Sequence, residues 1–420
     1  MGIFDKIIRR EKVGHHALAL DIGTEVVKAL IFEIDAAEGK GKVVGVGRRQ
    51  QRLGDMQAGG VTDIEGVVRT CEKALEEAAE ETKVRPDQII LGIAGELVKG
   101  TTTTVHYERL KPKSKIDLSE LKNIIHKVQW KAFDKVRKQL SWETGHNEMD
   151  VRLINAAIVD VKIDGYKITN PLGFQGKDVS ISIFDAYAPL VHLGALQTIA
   201  TELDMDLLSI AAEPYAVARC VGSEDSVEFN AVFMDVGGGT TDIAVVRNGG
   251  LEGTKMFALG GRAFTKRVAN ELGISFTEAE KVKIDYSKGS LTTQKTRQVK
   301  NILDADCKVW LSGVELALSE FSNIDLLPAR ILLCGGGSVL PGIKSSLLSE
   351  TWTKNLPFAK PPRVSFIQPK DVANIVDETG KLINQQDITP MALANLAIDL
   401  AGEEDILHRA LRKVVRIMQT

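Results

Sequence analysis

Net charge is nearly absent from this chain: 53 Lys and Arg residues stand against 56 Asp and Glu, leaving −3 over 420 residues. No global field can hold nucleic acid, so nucleic acid is not an expected partner, and attraction to lipid must come from a local patch. Cysteine is scarce. Cys71, Cys220, Cys307 and Cys334 are widely scattered, with no C-x-x-C pair and no His at ligand spacing, which excludes a disulfide framework and a zinc site and fits a reducing cytosol. No apolar run approaches the ~20 residues of a spanning helix, and the N-terminus, broken by Asp5, Lys6 and Arg9, is not a secretory signal. A chain of this kind that meets a membrane lies on it. Apolar residues make up 44%, enough for a sizeable core, and a length prior of ~150 residues per domain allows two or three domains.

The most informative feature present is an internal echo. Residues 17–20 lead into Asp21-Ile22-Gly23-Thr24 and a second β-rich run, 26–34. Residues 231–234 lead into Asp235-Val236-Gly237-Gly238-Gly239-Thr240-Thr241-Asp242 and then 243–246. Both read as strand, tight glycine turn, strand, and such a turn lets backbone N–H groups point at a common centre. A third run, Cys334-Gly335-Gly336-Gly337-Ser338, follows a strand at 331–333. Helices expected over 65–81, 190–202 and 213–220 alternate with strands, which argues an α/β fold, duplicated around one cleft. Strands at 101–105, 151–163 and 179–184 around a helix at 118–137 read as an inserted α+β unit.

A carboxylate at a strand end, beside backbone donors and hydroxyls, is the mix that Mg²⁺ and a polyphosphate together require. One D-x-G-T is an ordinary turn about as often as a site; two in the same context are much harder to dismiss. The third run has the glycine spacing of a Walker A loop, but Ile343 stands where Lys belongs. None of the runs is a G-x-G-x-x-G turn opening a helix with an acidic residue ~20 positions on, which weakens a Rossmann dehydrogenase. Three glycine loops suit a nucleotide clamped between two lobes.

The last residues carry a second signal. At ~100° per residue, Ile406, Leu407, Ala410, Leu411, Val414, Val415, Ile417 and Met418 share one half of a helix, opposite His408, Arg409, Arg412, Lys413, Arg416 and Gln419. A cationic face opposite an aliphatic one is what an interfacial helix on anionic lipid needs. The competing reading is a terminal helix packed on the protein's own core. Near the N-terminus, Ile3, Phe4, Ile7 and Ile8 repeat the pattern over too few residues for a stable isolated helix.

The order D-x-G-T, D-x-G-G-G-T-T-D and C-G-G-G-S resembles the phosphate and adenosine signatures of the actin and heat-shock-chaperone ATPase superfamily. That resemblance implies an actin-like, ribonuclease H-like, two-lobed ATPase fold that binds ATP and Mg²⁺, with weak hydrolysis at most. Asp21 and Asp235 would hold Mg²⁺ directly or through water, and Glu213, in an E-P-x-A context, would orient the attacking water. Gly23, Thr24, Gly237, Gly238, Gly239, Thr240 and Thr241 would cradle phosphates. Glu280 and Lys283 would meet ribose and adenine beside Gly335, Gly336, Gly337 and Ser338. A small-molecule kinase of the superfamily is the least favoured reading, because Glu213 has the chaperone-like context.

Within the superfamily, Asn170-Pro171-Leu172-Gly173-Phe174-Gln175-Gly176 ahead of an alternating strand is similar to the FtsA family of actin-like cell-division proteins. The resemblance implies a first lobe of 15–96 and 179–222, an inserted subdomain of 97–178, and a second lobe of 223–257 and 330–402. It also implies a capping subdomain of 258–329 and a membrane-targeting helix of 403–420. It further implies self-association into filaments on anionic lipid at the cytoplasmic face of the membrane, at the division site, with the FtsZ C-terminal peptide as partner. The PilM family of type IV pilus adaptors shares these loops. The segment 140–155, with Trp142 and His146, matches nothing in the family.

Overall fold

The computed structural model describes residues 16–35, 38–95, 98–144, 151–221, 229–321, 324–349, 351–401 and 411. Its first unit is a hairpin of strands β1 (His16–Ile22) and β2 (Val26–Asp35), extended by antiparallel β3 (Lys40–Gln50). Two short strands, β4 (Met56–Gln57) and β5 (Gly60–Val61), precede helix α1 (Ile64–Thr82). The Asp63 side chain accepts from the Gly66 N–H at the start of α1, and Lys83 closes the helix in the left-handed region at φ 56°. Strand β6 (Gln88–Ile93) then returns parallel to β1.

The inserted unit follows: β7 (Lys99–Glu108), α2 (Leu118–Thr144), β8 (Val151–Ile163), β9 (Tyr166–Lys167) and β10 (Asp178–Pro189). Strand β10 pairs antiparallel with β7 on one side and β8 on the other along its full length. It is therefore the central strand of the inserted sheet, and residues 179–189 belong there rather than to the first lobe. Helix α3 (Leu190–Glu202), strand β11 (Asp206–Ala212) and helix α4 (Glu213–Val221) complete the first half, with β11 parallel to β6.

The second half repeats the plan. Antiparallel β12 (Ala231–Val236), β13 (Thr241–Arg247) and β14 (Gly250–Phe257) lead to α5 (Gly261–Leu272), α6 (Phe276–Ser287) and α7 (Thr293–Ser319). Strand β15 (Arg330–Cys334) returns parallel to β12, and after α8 (Pro341–Leu347), β16 (Arg363–Phe366) lies parallel to β15. The strand order β16-β15-β12-β13-β14 thus mirrors β11-β6-β1-β2-β3. That symmetry turns the sequence echo into a duplicated fold. A short β14–β7 pairing at Gly253–Thr101 joins the second sheet to the inserted one.

The chain then crosses back. Strand β17 (Ile375–Asp377) pairs with β3, and helix α9 (Ile388–Ala401) buries Ile388, Met391, Leu393 and Leu396 in the first-lobe core. Residues 375–401 therefore belong to the first lobe, not the second as expected. The reason is the composition of α9, which is apolar on nearly every side and needs cover from both β1 and α4.

A second core lies around Phe264, Trp310 and Leu333, and a third inside the inserted unit. Leu411 belongs to that third core and is only 2% exposed. Its expected lipid-facing role is thus corrected, because its side chain is covered by the protein itself. Leu407, Arg409, Arg412, Lys413, Val414, Val415 and Arg416 lie outside the described residues, as do Ile3, Phe4, Ile7, Ile8 and His146. Among the described residues no helix is long and apolar enough to cross a membrane.

Candidate functional site

The two hairpins place their aspartates by register. In the first, Asp21 stands opposite Lys28; in the second, Asp235 stands opposite Asp242. Both hairpins point their turns at one cleft of about 260 Å³, lined by Asp21, Gly23, Thr24, Glu213, Asp235, Gly237, Gly238, Gly239 and Thr240. The cleft's far wall holds Glu280, Lys283, Gly335, Gly336 and Gly337. The turns touch one another: a Cβ on Gly239 would lie 2.6 Å from Thr24 Oγ1, so no side chain fits between the two glycine turns. Gly335 adopts φ +82° behind Asp235, where a Cβ would come within 2.0 Å of Oδ1.

Two expected contacts are corrected. The Thr241 hydroxyl donates to the Leu259 carbonyl at 2.7 Å and accepts from Trp310 Nε1 at 2.9 Å, in the second-lobe core. Successive strand residues face opposite ways, so Thr240 and Asp242 meet the cleft and Thr241 cannot. Ser338 is buried and donates to the Gly335 carbonyl at 2.7 Å, bracing the loop rather than lining it.

Three residues that the sequence reading did not assign to the site also line it. Lys28 Nζ donates to Asp21 Oδ2 at 2.7 Å. Thr389, in the first turn of α9, donates to Asp235 and ties the two lobes together. Asp242 is 3% exposed, and its Oδ1 has no hydrogen-bond partner. The offset of seven residues between each aspartate and its cross-strand partner was a signal for Lys28 and Asp242. A further signal was Gly92 in β6, where a Cβ would stand 2.6 Å from Glu213 Oε1, so the glycine makes room for that carboxyl.

Four carboxyl groups and one ammonium therefore share a nearly dry space. Burial pushes Glu213 well above the usual carboxylate range, reinforced by Asp21, Asp242 and Asp235 and opposed by Lys28. Asp242 is raised well above its ordinary value by burial and then by Asp235, and burial also raises Asp235 against the Thr389 hydrogen bond and Lys28. Burial works against the Lys28 charge, but the field and hydrogen bond of Asp21 outweigh it and hold the ammonium above its usual range. The acidic excess and the orphaned Asp242 oxygen fit a hard cation. Among the described residues no three His, Cys, Asp or Glu side chains form a metal cage. The donor set thus suits Mg²⁺, which keeps several waters and shares phosphate oxygens, rather than an all-protein site.

On the opposite wall, Lys283 Nζ donates to Glu280 at 2.7 Å, to Thr265 Oγ1 at 2.8 Å and to the Gly261 carbonyl at 3.1 Å. The turn of the second hairpin is carried by α5, whose Gly261 and Arg262 N–H groups donate to the carbonyls of Gly237 and Gly238 at 2.9 and 2.8 Å. Arg262 also spans the cleft mouth, donating to Glu25 at 2.6 Å and to the Met56 carbonyl at 2.9 Å.

Duplicated sheets closing on an acidic, glycine-walled cleft define an actin-like, two-lobed fold of the nucleotide-binding kind. A solved structure described as a PilM–PilN type IV pilus biogenesis complex has the same architecture, with a TM-score of 0.63 at 18% identity over 91% of this chain and 98% of that one. The family model described as cell division protein FtsA matches residues 232–394, the stretch that builds the second glycine turn, helices α5 to α7 and the third glycine loop. Cell division protein FtsA of Pseudomonas aeruginosa is 25% identical over 349 residues, covering 78% of this chain and 79% of that protein. FtsA of Streptococcus pneumoniae is 24% identical over 411 residues, covering 93% and 84%. The chain is thus similar to FtsA cell-division proteins over most of its length.

Proposed function

We propose that this protein is an ATP- and Mg²⁺-binding cell-division protein that self-associates on the cytoplasmic face of the membrane at the division site and tethers FtsZ filaments there. One observation carries the nucleotide part: two hairpins of the same build and the third glycine loop face a single acidic cleft. In this reading the triphosphate lies between Gly23–Thr24 and Gly237–Thr240, with Lys28 beside it. The base enters between Gly336 and the Glu280–Lys283 pair. Asp21, Asp235 and Asp242 would hold Mg²⁺, directly or through water, and the ion would neutralise phosphate charge. Glu213 orients a water toward the terminal phosphate, so that slow hydrolysis is a matter of positioning.

The division role rests on similarity to FtsA over most of the chain. Partner choice follows from it: the C-terminal peptide of FtsZ, and further copies of this chain. Because Leu411 is covered, attachment to anionic lipid relies on Leu407, Val414 and Val415 with Arg409, Arg412, Lys413 and Arg416. The PilM-like adaptor reading draws on a likeness of fold alone.

The test is sedimentation of FtsZ polymers with phosphatidylglycerol vesicles, with and without this protein and ATP·Mg²⁺. FtsZ should pellet with vesicles only when the protein is present. FtsZ left in the supernatant while the protein itself pellets would overturn the tethering. Unchanged ATP affinity in Asp235→Ala would overturn the nucleotide assignment.

A further inference from the structure

The inserted unit presents a surface that the cleft does not use. Three loops meet at one end of its sheet, where Glu108 of β7 pairs with Asp178 of β10 and Ile163 of β8 pairs with Val179. The loop between β7 and α2 is tied together by Arg109, a cation with only 2% of its surface exposed. Its guanidinium donates to Glu120 at 2.9 and 2.7 Å, to the Gly176 carbonyl at 3.0 Å and to the Ser114 carbonyl at 3.0 Å. Backbone bonds add to this: the Gly176 N–H donates to the Pro112 carbonyl at 3.0 Å and the Ile116 N–H to the Phe174 carbonyl at 2.8 Å. The Gln175 amide donates to the Lys113 carbonyl at 2.6 Å.

This bracing holds apolar side chains in water. Leu110 is 94% exposed, Tyr166 76% and Phe174 46%. Between Leu110 and Ile116 stand Lys111, Lys113 and Lys115, all exposed, with no acidic residue among them and no ion pair to these three among the described residues. The nearest acids are engaged: Glu108 with Lys177, Glu120 with Arg109, Asp117 with the Glu120 N–H and Asp164 with the N–H groups of Lys177 and Asp178.

We propose that this tip is an anionic-lipid contact, a second point of attachment beside the C-terminal segment. The argument is shape and charge together. Leu110, almost wholly exposed, projects from the loop as an anchor that can enter a soft apolar layer. A planar headgroup layer supplies negative charge to the three lysines while the aliphatic and aromatic tips enter the acyl boundary. Leu411, the one described residue of the C-terminal segment, packs in the core of this same inserted unit. The inference rests on the membrane reading above.

All four native cysteines are buried, so a thiol-reactive, environment-sensitive dye on Leu110→Cys in the full chain reports the tip. On vesicles of phosphatidylglycerol and phosphatidylcholine in equal parts, emission should shift to the blue and be quenched by acyl-chain spin labels. The dye should keep its aqueous emission with phosphatidylcholine alone. Each lysine near an anionic surface is worth roughly five-fold in partitioning, so the triple change Lys111→Gln, Lys113→Gln, Lys115→Gln should weaken vesicle binding on the order of 100-fold. Nucleotide affinity and melting temperature should not move.

Aqueous emission at position 110 while the protein pellets with vesicles would overturn this proposal and leave the C-terminal attachment standing. Absence of vesicle binding altogether would overturn both. A blue shift produced by raising protein concentration without vesicles would overturn it in favour of an interface between copies.

Discussion

Gly335 and Gly336 are neighbours with opposite surroundings, and that contrast makes a test of the base site. A Cβ on Gly336 would have its nearest neighbours at 3.7 and 3.9 Å, both on Gln386, which is ordinary contact distance. Gly336→Val therefore leaves the fold intact to within about 0.5 kcal/mol, as for a surface change away from special features. Its two methyl groups would occupy the part of the cleft that the proposed function gives to the adenine. ATP affinity should fall at least about 100-fold, or about 2.7 kcal/mol. Gly335→Ala is the control of opposite kind. At φ +82° an L-residue is strained by roughly 1–2 kcal/mol, and its Cβ would also press on Asp235 and on the Val236 carbonyl at 2.5 Å. Overpacking of that sort adds about 1–3 kcal/mol, so the sum is about 2–5 kcal/mol. Each kcal/mol corresponds to roughly 2–4 °C in Tm for a domain of 150–250 residues, giving a fall of about 4–20 °C. Calorimetric ATP titration and thermal melting of both variants separate the two effects. If Gly336→Val melts like the parent and still binds ATP with parental affinity, the third glycine loop does not hold the base.

Lys28→Met removes the cation from a cluster of buried carboxyl groups and should destabilise the chain by about 3–5 kcal/mol, read as a lower urea midpoint; an unchanged midpoint would show that the Asp21–Lys28 pair contributes nothing. Arg262→Ala cuts the link from the second lobe to Glu25 and the Met56 carbonyl, so release of a fluorescent ATP analogue should speed up several-fold in stopped flow; an unaltered rate would remove the latch role. Asp185, buried in the inserted unit, is pushed up to about 8 by burial, opposed by the hydrogen bond it accepts from Gln129. The folded state therefore keeps a proton that the unfolded chain has already released, and stability falls as pH rises from about 4 to about 8. Asp185→Asn should flatten that dependence in urea titrations at successive pH values; identical slopes would refute the assignment.

Local chemistry was enough to find the two glycine turns that face the cleft. A buried strand, an aspartate at its end and a glycine turn occur twice, and backbone donors at such turns point one way whatever surrounds them. The inserted unit was legible for the same reason, because alternating strands around one long helix declare themselves within a short window. Its last boundary was not. Strand β10 reads the same whether it belongs to the first lobe or to the inserted sheet, and only its pairing with β7 and β8 decides.

Side-chain direction was likewise out of reach. Thr240, Thr241 and Asp242 are consecutive and all polar, yet the pleat sends Thr241 to Trp310 and the other two to the cleft. Lys28 looked like an ordinary strand lysine until register set it against Asp21. Helix α9 follows the second half in sequence but folds into the first, since its apolar sides find matching cover between the first-lobe sheet and α4. Leu411 is the plainest case. Helical periodicity grouped it with an aliphatic face and could not say whether lipid or protein covers that face. The hydrophobic effect is non-directional and rewards either, and the tertiary structure chose the inserted unit's own core for this residue.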